Sequence, residues 1–529
     1  MENLIFQNFG NIAKSNVVAS CHPESHSIGI SILKAGGNAI DAFIATTFGD
    51  YVVAPGTTSM AGALYVLFKN TKTSKVMNLS GSFKTPFSQN GIWQNNNDPI
   101  AKKVLIPGAI AGLNSLHKKY GNMPWDKLLE PAIDLAENGF ELSPLYENVL
   151  NYRKQFLFSS QYFRNLFLRD NRLLKSGELL KQPILARTLK GIQKDGADYF
   201  YRGEWGCNFL KTINKLGGKL ILDDISQYEP TWNSHLINTY RDYKFFSPGG
   251  LSFGGIKFAL AMKILECFDI RKLGHWSKNI DSLELMIKVA RQIESEQWIY
   301  DYQKLNDNNF IKTCFSAANV GWLCCNLNHS MRHYNFSKHV KHSHLHSAQT
   351  VIIDKNGTIV TGMHTIGSYP WGDAIFVDGV ALNNSACLAN SIPPGHYVPD
   401  ASSLEIFEKN EKVILAGGFI SSSMFPADYQ VILNILDFNM TPKQALSSPR
   451  FGSFFIDDTI YPVSVDFKKN IIDERYSKSM LRKLQQRGIL VGYNKYNDTG
   501  MGVVIKIDTA SGHTQAAVSE ELNGVEAEF

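Results

Sequence analysis

A polar, histidine-laden run, Asn326 to His346, gives way at Ser347 to the β-branched stretch Gln349-Thr350-Val351-Ile352-Ile353 and then to Asp354-Lys355-Asn356-Gly357. The pattern reads as linker, strand and tight hairpin turn. A serine at such a junction has a chemical option that an interior serine lacks. A hydroxyl is a poor nucleophile until a base takes its proton, and a cut before Ser347 would place a free α-amine, with a pKa of about 7.7 to 8.0, on the same residue. Attack on an amide carbonyl would then give an acyl-enzyme, resolved by water or by an amine, with backbone donors holding the oxyanion. No cofactor is implied, because the terminal amine supplies the base. On its residues alone, Ser347 reads more simply as an ordinary loop serine.

Two other groups of residues could do chemistry. His329, His333, His339, His342, His344 and His346 invite a metal, but their spacing is irregular and no acid or cysteine is interleaved, so a basic, solvated loop awaiting cleavage is the better account. The seven cysteines (Cys21, Cys207, Cys267, Cys314, Cys324, Cys325 and Cys387) are odd in number, widely spread and without metal-ligand spacing, as expected of a reducing compartment. Neighbouring Cys324 and Cys325 could form a redox pair, but they read more simply as buried or loop thiols.

The 529 residues allow a large core, and 44% hydrophobic with 19% charged residues is ordinary for a globular chain. A net charge of +5 with scattered basic residues does not suggest a nucleic-acid partner. Neither a leader-like start nor an uninterrupted apolar run long enough to span a bilayer is visible, so a soluble, cytoplasmic protein without a membrane partner is expected.

The elements that must position the junction read as follows. A short strand at 16–19 leads into a helix from Pro23 that stops at Gly36-Gly37, followed by an apolar helix, 39–49, and a strand, 64–68. The small residues between Pro55 and Ala63 suit close helix–strand packing or, less readily, a binding loop. Helices are expected at 104–117, 125–138, 256–268 and 282–302, strands at 219–222 and 240–246, and loop at 306–309. Beyond Ser347 the texture turns to short strands, 349–353, 358–363, 374–377, 413–416 and 503–507, with helices at 427–437 and 476–486. The class is α+β.

Several segments together resemble the gamma-glutamyltransferases (glutathione hydrolases). They include Val17-Val18-Ala19-Ser20, Leu33-Lys34-Ala35-Gly36-Gly37-Asn38-Ala39-Ile40-Asp41-Ala42, Ile106-Pro107-Gly108-Ala109, Pro131-Ala132-Ile133-Asp134-Leu135-Ala136 and Gly196-Ala197-Asp198-Tyr199-Phe200. The likeness runs from about residue 15 to the C-terminus. It implies a four-layer αββα N-terminal-nucleophile fold, made as a self-cleaving proenzyme with a large subunit, 1–346, ending in a linker at about 326–346, and a small subunit, 347–529. In that family the nucleophile lies seven residues before an Asp, with Gly three and Thr eleven after it. Here these positions are Ser347, Asp354, Gly357 and Thr365, and Thr365 is placed to hydrogen-bond the new terminus or the nucleophile. Ser402-Ser403 resembles the family's paired serines, and Gly417-Gly418 its oxyanion glycines, so these four are expected in substrate binding.

The family's substrate clamps are absent. Its carboxylate-binding arginine, four residues before a proline, is replaced by Ser82, with Lys84 nearby, and its Asn two residues past the threonine by Gly367. The polar and acidic residues that bind the substrate's amino group give way to Ser385-Ala386-Cys387-Leu388. Each lost charge-assisted contact is worth roughly 1.5 to 3 kcal/mol. The expectation is therefore an amide hydrolase or acyltransferase acting on a small amide other than glutathione. The alternatives are a true glutathione hydrolase with altered clamps, or a decayed scaffold that binds or regulates.

Overall fold

The computed structural model describes residues 16–70, 73–88, 98–327, 347–389, 392–421, 424–452, 470–489, 491–494, 500–522 and 525–528. The expected linker lies almost wholly outside them, as do its six histidines. Two large sheets form the interior. Numbered over those sheets, the strands are β1 (Val17–Ser20), β2 (Ala63–Asn70), β3 (Lys75–Gly81), β4 (Thr231–Asn233), β5 (His235–Tyr240), β6 (Tyr243–Pro248), β7 (Ser347–Ile353), β8 (Ile359–Thr365), β9 (Ser403–Lys409), β10 (Lys412–Ile420), β11 (Met501–Ile507), β12 (Thr514–Val518) and β13 (Val525–Glu528). The first sheet runs β13-β1-β7-β8-β2-β3-β4 and the second β12-β11-β10-β9-β6-β5. Strands from both sides of residue 347 pair in each sheet, so neither half of the chain builds a sheet by itself.

Helices α1 (Pro23–Lys34), α2 (Ala39–Val53), α3 (Ala109–Tyr120) and α4 (Trp125–Asn138) accompany the first sheet. Helices α5 (Phe253–Glu266), α6 (Ile280–Ser295), α7 (Ala317–Asn326) and α8 (Met424–Leu436) accompany the second. Three apolar layers result. One holds Phe43, Phe48, Leu64 and Val66 under α2, one holds Phe245, Phe258, Phe407 and Tyr429 under α5 and α8, and one, with Leu67, Val351, Leu404 and Val503, fills the space between the sheets. This is the four-layer αββα sandwich. Among the described residues no helix is long and apolar enough to cross a membrane.

Local chemistry explains where expected and observed elements part. The run 219–222 is not a strand. Asp224 accepts a hydrogen bond from the N–H of Ile221 and starts a short helix, Leu222–Ser226. The expected strand 240–246 is the hairpin β5–β6, which reverses at Arg241, whose φ is +54°. At 306–309, Asp307 accepts from the N–H groups of Asn309 and Phe310 and caps a helix, Asn308–Cys314.

Candidate active site

The spacing of Ser347, Asp354, Gly357 and Thr365 is the arithmetic of one hairpin. β7 and β8 are seven residues each, and their register sets Ser347 opposite Thr365 and Ile353 opposite Ile359. Asp354 fixes the turn between them. Its Oδ1 accepts from the N–H groups of Asn356 (2.9 Å) and Thr358 (3.0 Å), and its Oδ2 from that of Ala39 (3.0 Å) at the start of α2. Gly357 supplies the positive φ, +80°, that the turn requires. An acid seven residues from Ser347 is thus the anchor that sets the register of the strand.

Side chains alternate along a strand, so Ser347 shares a face with Gln349 and Val351, and Thr365 with Met363 and Thr361. That face looks into the space between the sheets. Gln349 Nε2 donates to Thr361 Oγ1 (2.9 Å), and Thr361 Oγ1 donates to the carbonyl of Gly417 on β10 (2.8 Å). Ser347 is buried, 5% exposed, and Thr365 Oγ1 accepts from the N–H of Gly367 (2.9 Å). The next strand brings Ala63 beside Thr365, with Gly62 before it, where an added Cβ would sit 2.1 Å from the Thr365 carbonyl. The small residues at the end of the Pro55–Ala63 run therefore serve close packing against the Thr365 rung.

The remaining expected residues divide. Gly417 and Gly418 lie inside β10, a central strand paired on both sides, so their N–H groups belong to the ladder. A Cβ at Gly418 would strike the Gln349 side chain at 2.1 Å, and this packing accounts for the glycine. Neither is placed as an oxyanion donor. Beyond them the strand continues toward the Ser347–Thr365 rung and ends at Ile420, with Ser421 following. That residue has φ +87°, a buried hydroxyl without a partner among the described residues, and a carbonyl that accepts from the N–H of Met424. Such a backbone in a non-glycine residue is uncommon and costly.

Ser402 and Ser403 point apart. Ser402 donates to Asp400 Oδ1 (2.5 Å) and shares a hydrogen bond with Ser252 Oγ (2.9 Å). Asp400 is buried, and desolvation raises its pKa while the serines hold it back. Ser403 lies within hydrogen-bonding distance of Glu405 Oε1 (2.8 Å) and Asp428 Oδ2 (3.1 Å), on the helix side of the second sheet and away from the Ser347 face. Burial pushes the Asp428 carboxyl up to about 8, and burial together with Asp428 carries Glu405 well above the usual range.

At the positions of the missing clamps the space is filled. Ser82 is buried, donates to the Val398 carbonyl (2.7 Å) and meets Tyr65 Oη at 3.2 Å. Lys84 lies in extended backbone, bridged to Ile106 and Tyr397, with its ammonium over the Tyr397 ring at 5.3 Å. Gly367 has φ +70°, and a Cβ there would lie 2.4 Å from the buried ring of Phe83. Cys387 is buried, which raises its thiol pKa, and Ser385 donates to the Gly367 carbonyl (3.0 Å).

One network escaped the sequence reading. His364 precedes Thr365 and so faces the opposite side of β8, in register with Ala348. There the carboxylate of Asp50, from α2, lies between two imidazoles, 2.8 Å from His22 Nδ1 and 3.3 Å from His364 Nε2. His22 Nε2 meets Tyr146 Oη at 3.1 Å, which meets Thr57 Oγ1 at 2.8 Å. Burial lowers the His364 pKa to about 4, with Asp50 opposing and His22 adding to the shift. Asp50 was detectable as an acid near the end of an apolar helix; its partners were not. Among the described residues no three His, Cys, Asp or Glu side chains gather as a metal site.

Comparison with known proteins agrees with this architecture. The family model described as gamma-glutamyltranspeptidase matches residues 25–527. The chain is 24% identical to a glutathione hydrolase proenzyme of Escherichia coli, over 94% of the chain and 89% of that protein. It is 25% identical to the glutathione hydrolase proenzyme of Bacillus subtilis, over 97% and 91%. Among solved structures, a cephalosporin acylase from Bacillus halodurans superposes with a TM-score of 0.82 at 22% identity, covering all of this chain and 98% of that one. With its N-terminal-nucleophile sandwich and a match over nearly its whole length, the chain is an amidohydrolase or acyltransferase that belongs to the gamma-glutamyltranspeptidase family.

Proposed function

We propose that this chain is a proenzyme cut between His346 and Ser347, and that Ser347 then works as an N-terminal nucleophile on a small amide other than glutathione. The supporting observation is the register of β7 and β8, which sets a serine at the start of a strand directly opposite Thr365, on the face between the sheets. In the precursor, Ser347 Oγ attacks the His346 carbonyl, the peptide C–N bond breaks to leave an ester and a free α-amine on Ser347, and water cleaves the ester to give the His346 carboxylate and the free hydroxyl. In turnover that amine takes the hydroxyl proton, Ser347 Oγ adds to the substrate carbonyl, and the protonated amine returns the proton to the leaving nitrogen. Thr365 Oγ1 hydrogen-bonds the nucleophile or its amine. The N–H of Ser421, just past the end of β10, holds the oxyanion, in the role first expected of Gly417 and Gly418. Ser402 takes part in the pocket through Asp400, and Ser403 only through the packing of β9.

The acyl preference follows from charge. Ser82 offers a hydroxyl where a guanidinium would grip a carboxylate in two hydrogen bonds, and Phe83 occupies the space that a side chain at 367 would need. A γ-glutamyl zwitterion would leave its carboxylate without a cationic partner, whereas a neutral acyl group would not. The relatives at 24 to 25% identity bear the name glutathione hydrolase, and the structural neighbour is a cephalosporin acylase. A panel of amides differing only in acyl charge, with acyl-enzyme trapped and located by mass spectrometry, tests the reading. Label on Ser347 from neutral acyl donors, and little from γ-glutamyl anilide, is expected. Robust γ-glutamyl transfer would overturn the pocket argument, and no label from any donor would overturn the chemistry.

A further inference from the structure

We propose that Cys267 and Cys324 are a redox pair that closes into a reversible disulfide, tying α7 to the end of α5. Cys267 caps the C-terminus of α5, and Cys324 sits in the last turn of α7, the last described helix before residue 347. Their sulfurs approach to 2.6 Å, well inside a non-bonded sulfur contact and not far from the bond length of about 2.05 Å. The helices hold this approach by their own packing. Cys324 Sγ also reaches the Ile264 carbonyl (3.7 Å), and Leu323 and Leu327 beside it are buried in the same core as Ile264 and Leu260.

The adjacent Cys325 is not the partner. Successive residues on a helix point about 100° apart and do not face one another, and Cys325 is exposed. Sequence alone suggests the vicinal pair because the true partner lies 57 residues away.

The chemistry needs an external oxidant, and a small dialkyl disulfide suffices. Cys267 is exposed and attacks first, forming a mixed disulfide and releasing one small thiol. Cys324 then attacks the Cys267 sulfur and releases the second. Two protons and two electrons pass from the protein to the small disulfide, which becomes two thiols. Burial and the neighbouring sulfur push the Cys324 thiol up to about 12, so the closing step is slow and the open form persists under mild oxidation. The closed loop spans α6 and every described helix between Cys267 and Cys324, so the bond restricts the unfolded outer helical layer of the second sheet.

The test uses the full-length protein and 2-hydroxyethyl disulfide, which carries no amide. After treatment, alkylation and proteolysis, the expected result is a cross-linked peptide joining Cys267 to Cys324, two of the seven thiols lost to alkylation, and a higher melting temperature that reductant reverses. Cys325→Ser keeps the cross-link and Cys267→Ser abolishes it. Seven alkylated thiols, a Cys324–Cys325 bond, or only mixed disulfides would overturn the assignment.

Discussion

Ser347 carries the account at the scale of single residues, because one hydroxyl is asked both to cut the chain and to turn over substrate. Ser347→Ala is expected to leave an uncut, inactive but folded chain, seen as one band on a denaturing gel. Ser347→Thr restores a hydroxyl and is expected to keep both activities. His364, one residue from Thr365 on the opposite face, makes a separate prediction about pH. Its folded pKa, about 4, lies below the ordinary 6.5, so the unfolded chain binds the extra proton first. Stability from this group is complete above pH 6.5 and is lost as pH falls toward 4, by roughly 3 kcal/mol in all. His26, also lowered to about 4 by burial, acts in the same direction. Chemical denaturation from pH 7 to 4 should show this slope, and His364→Asn should flatten it; an unchanged slope would remove His364 from the account. At position 367, restoring the family's asparagine would drive a side chain into Phe83 at a positive φ. Gly367→Asn should cost about 1 to 3 kcal/mol in urea denaturation, and a neutral effect would show that the pocket is open there.

Among the elements, the β7–β8 hairpin does the positioning. Its turn and the body of both strands were legible in sequence, since Asp354, Asn356 and Gly357 announce the turn and the β-branched residues announce the strand, but the expected strands, 349–353 and 358–363, stop two residues short of the Ser347–Thr365 rung. The exact pairing of α4 with 125–138 and the start of α1 at Pro23 were legible for the same reason, a period of 3.6 ended by glycine or opened by proline. Contacts between sheets were not legible. Nothing local says that Gly418 is a glycine to make room for Gln349, or that Ser403 turns toward Asp428 while Ser402 turns toward Asp400, because those facts depend on which strand lies across the layer. Thr361 is the hinge of that layer: it accepts from Gln349 and donates to Gly417. Thr361→Val would orphan both partners and should cost about 1 to 3 kcal/mol, read by thermal or urea denaturation. An effect near zero would mean that water or rotation satisfies both groups.

For the molecule as a whole, the interleaved strand order has a consequence. β1, β2, β3 and β4 flank β7 and β8 in one sheet, and β5 and β6 join β9 to β12 in the other, so a cut before Ser347 leaves two chains sharing both sheets and the core between them. The pieces should stay together through size-exclusion chromatography and separate only on denaturation; two independent folded fragments would contradict the topology. Fold and family were readable from the ordered segments between Val17 and Phe200, whereas the substrate was not, because the residues that depart from the family, Ser82, Gly367 and Ser385 to Leu388, say what is missing rather than what is bound. The most direct test of the central claim is terminal sequencing of the purified, unaltered protein after a denaturing gel. Two bands, the smaller beginning at Ser347, are predicted. A single uncut chain, or a small chain that begins at another residue, would contradict the proposed nucleophile.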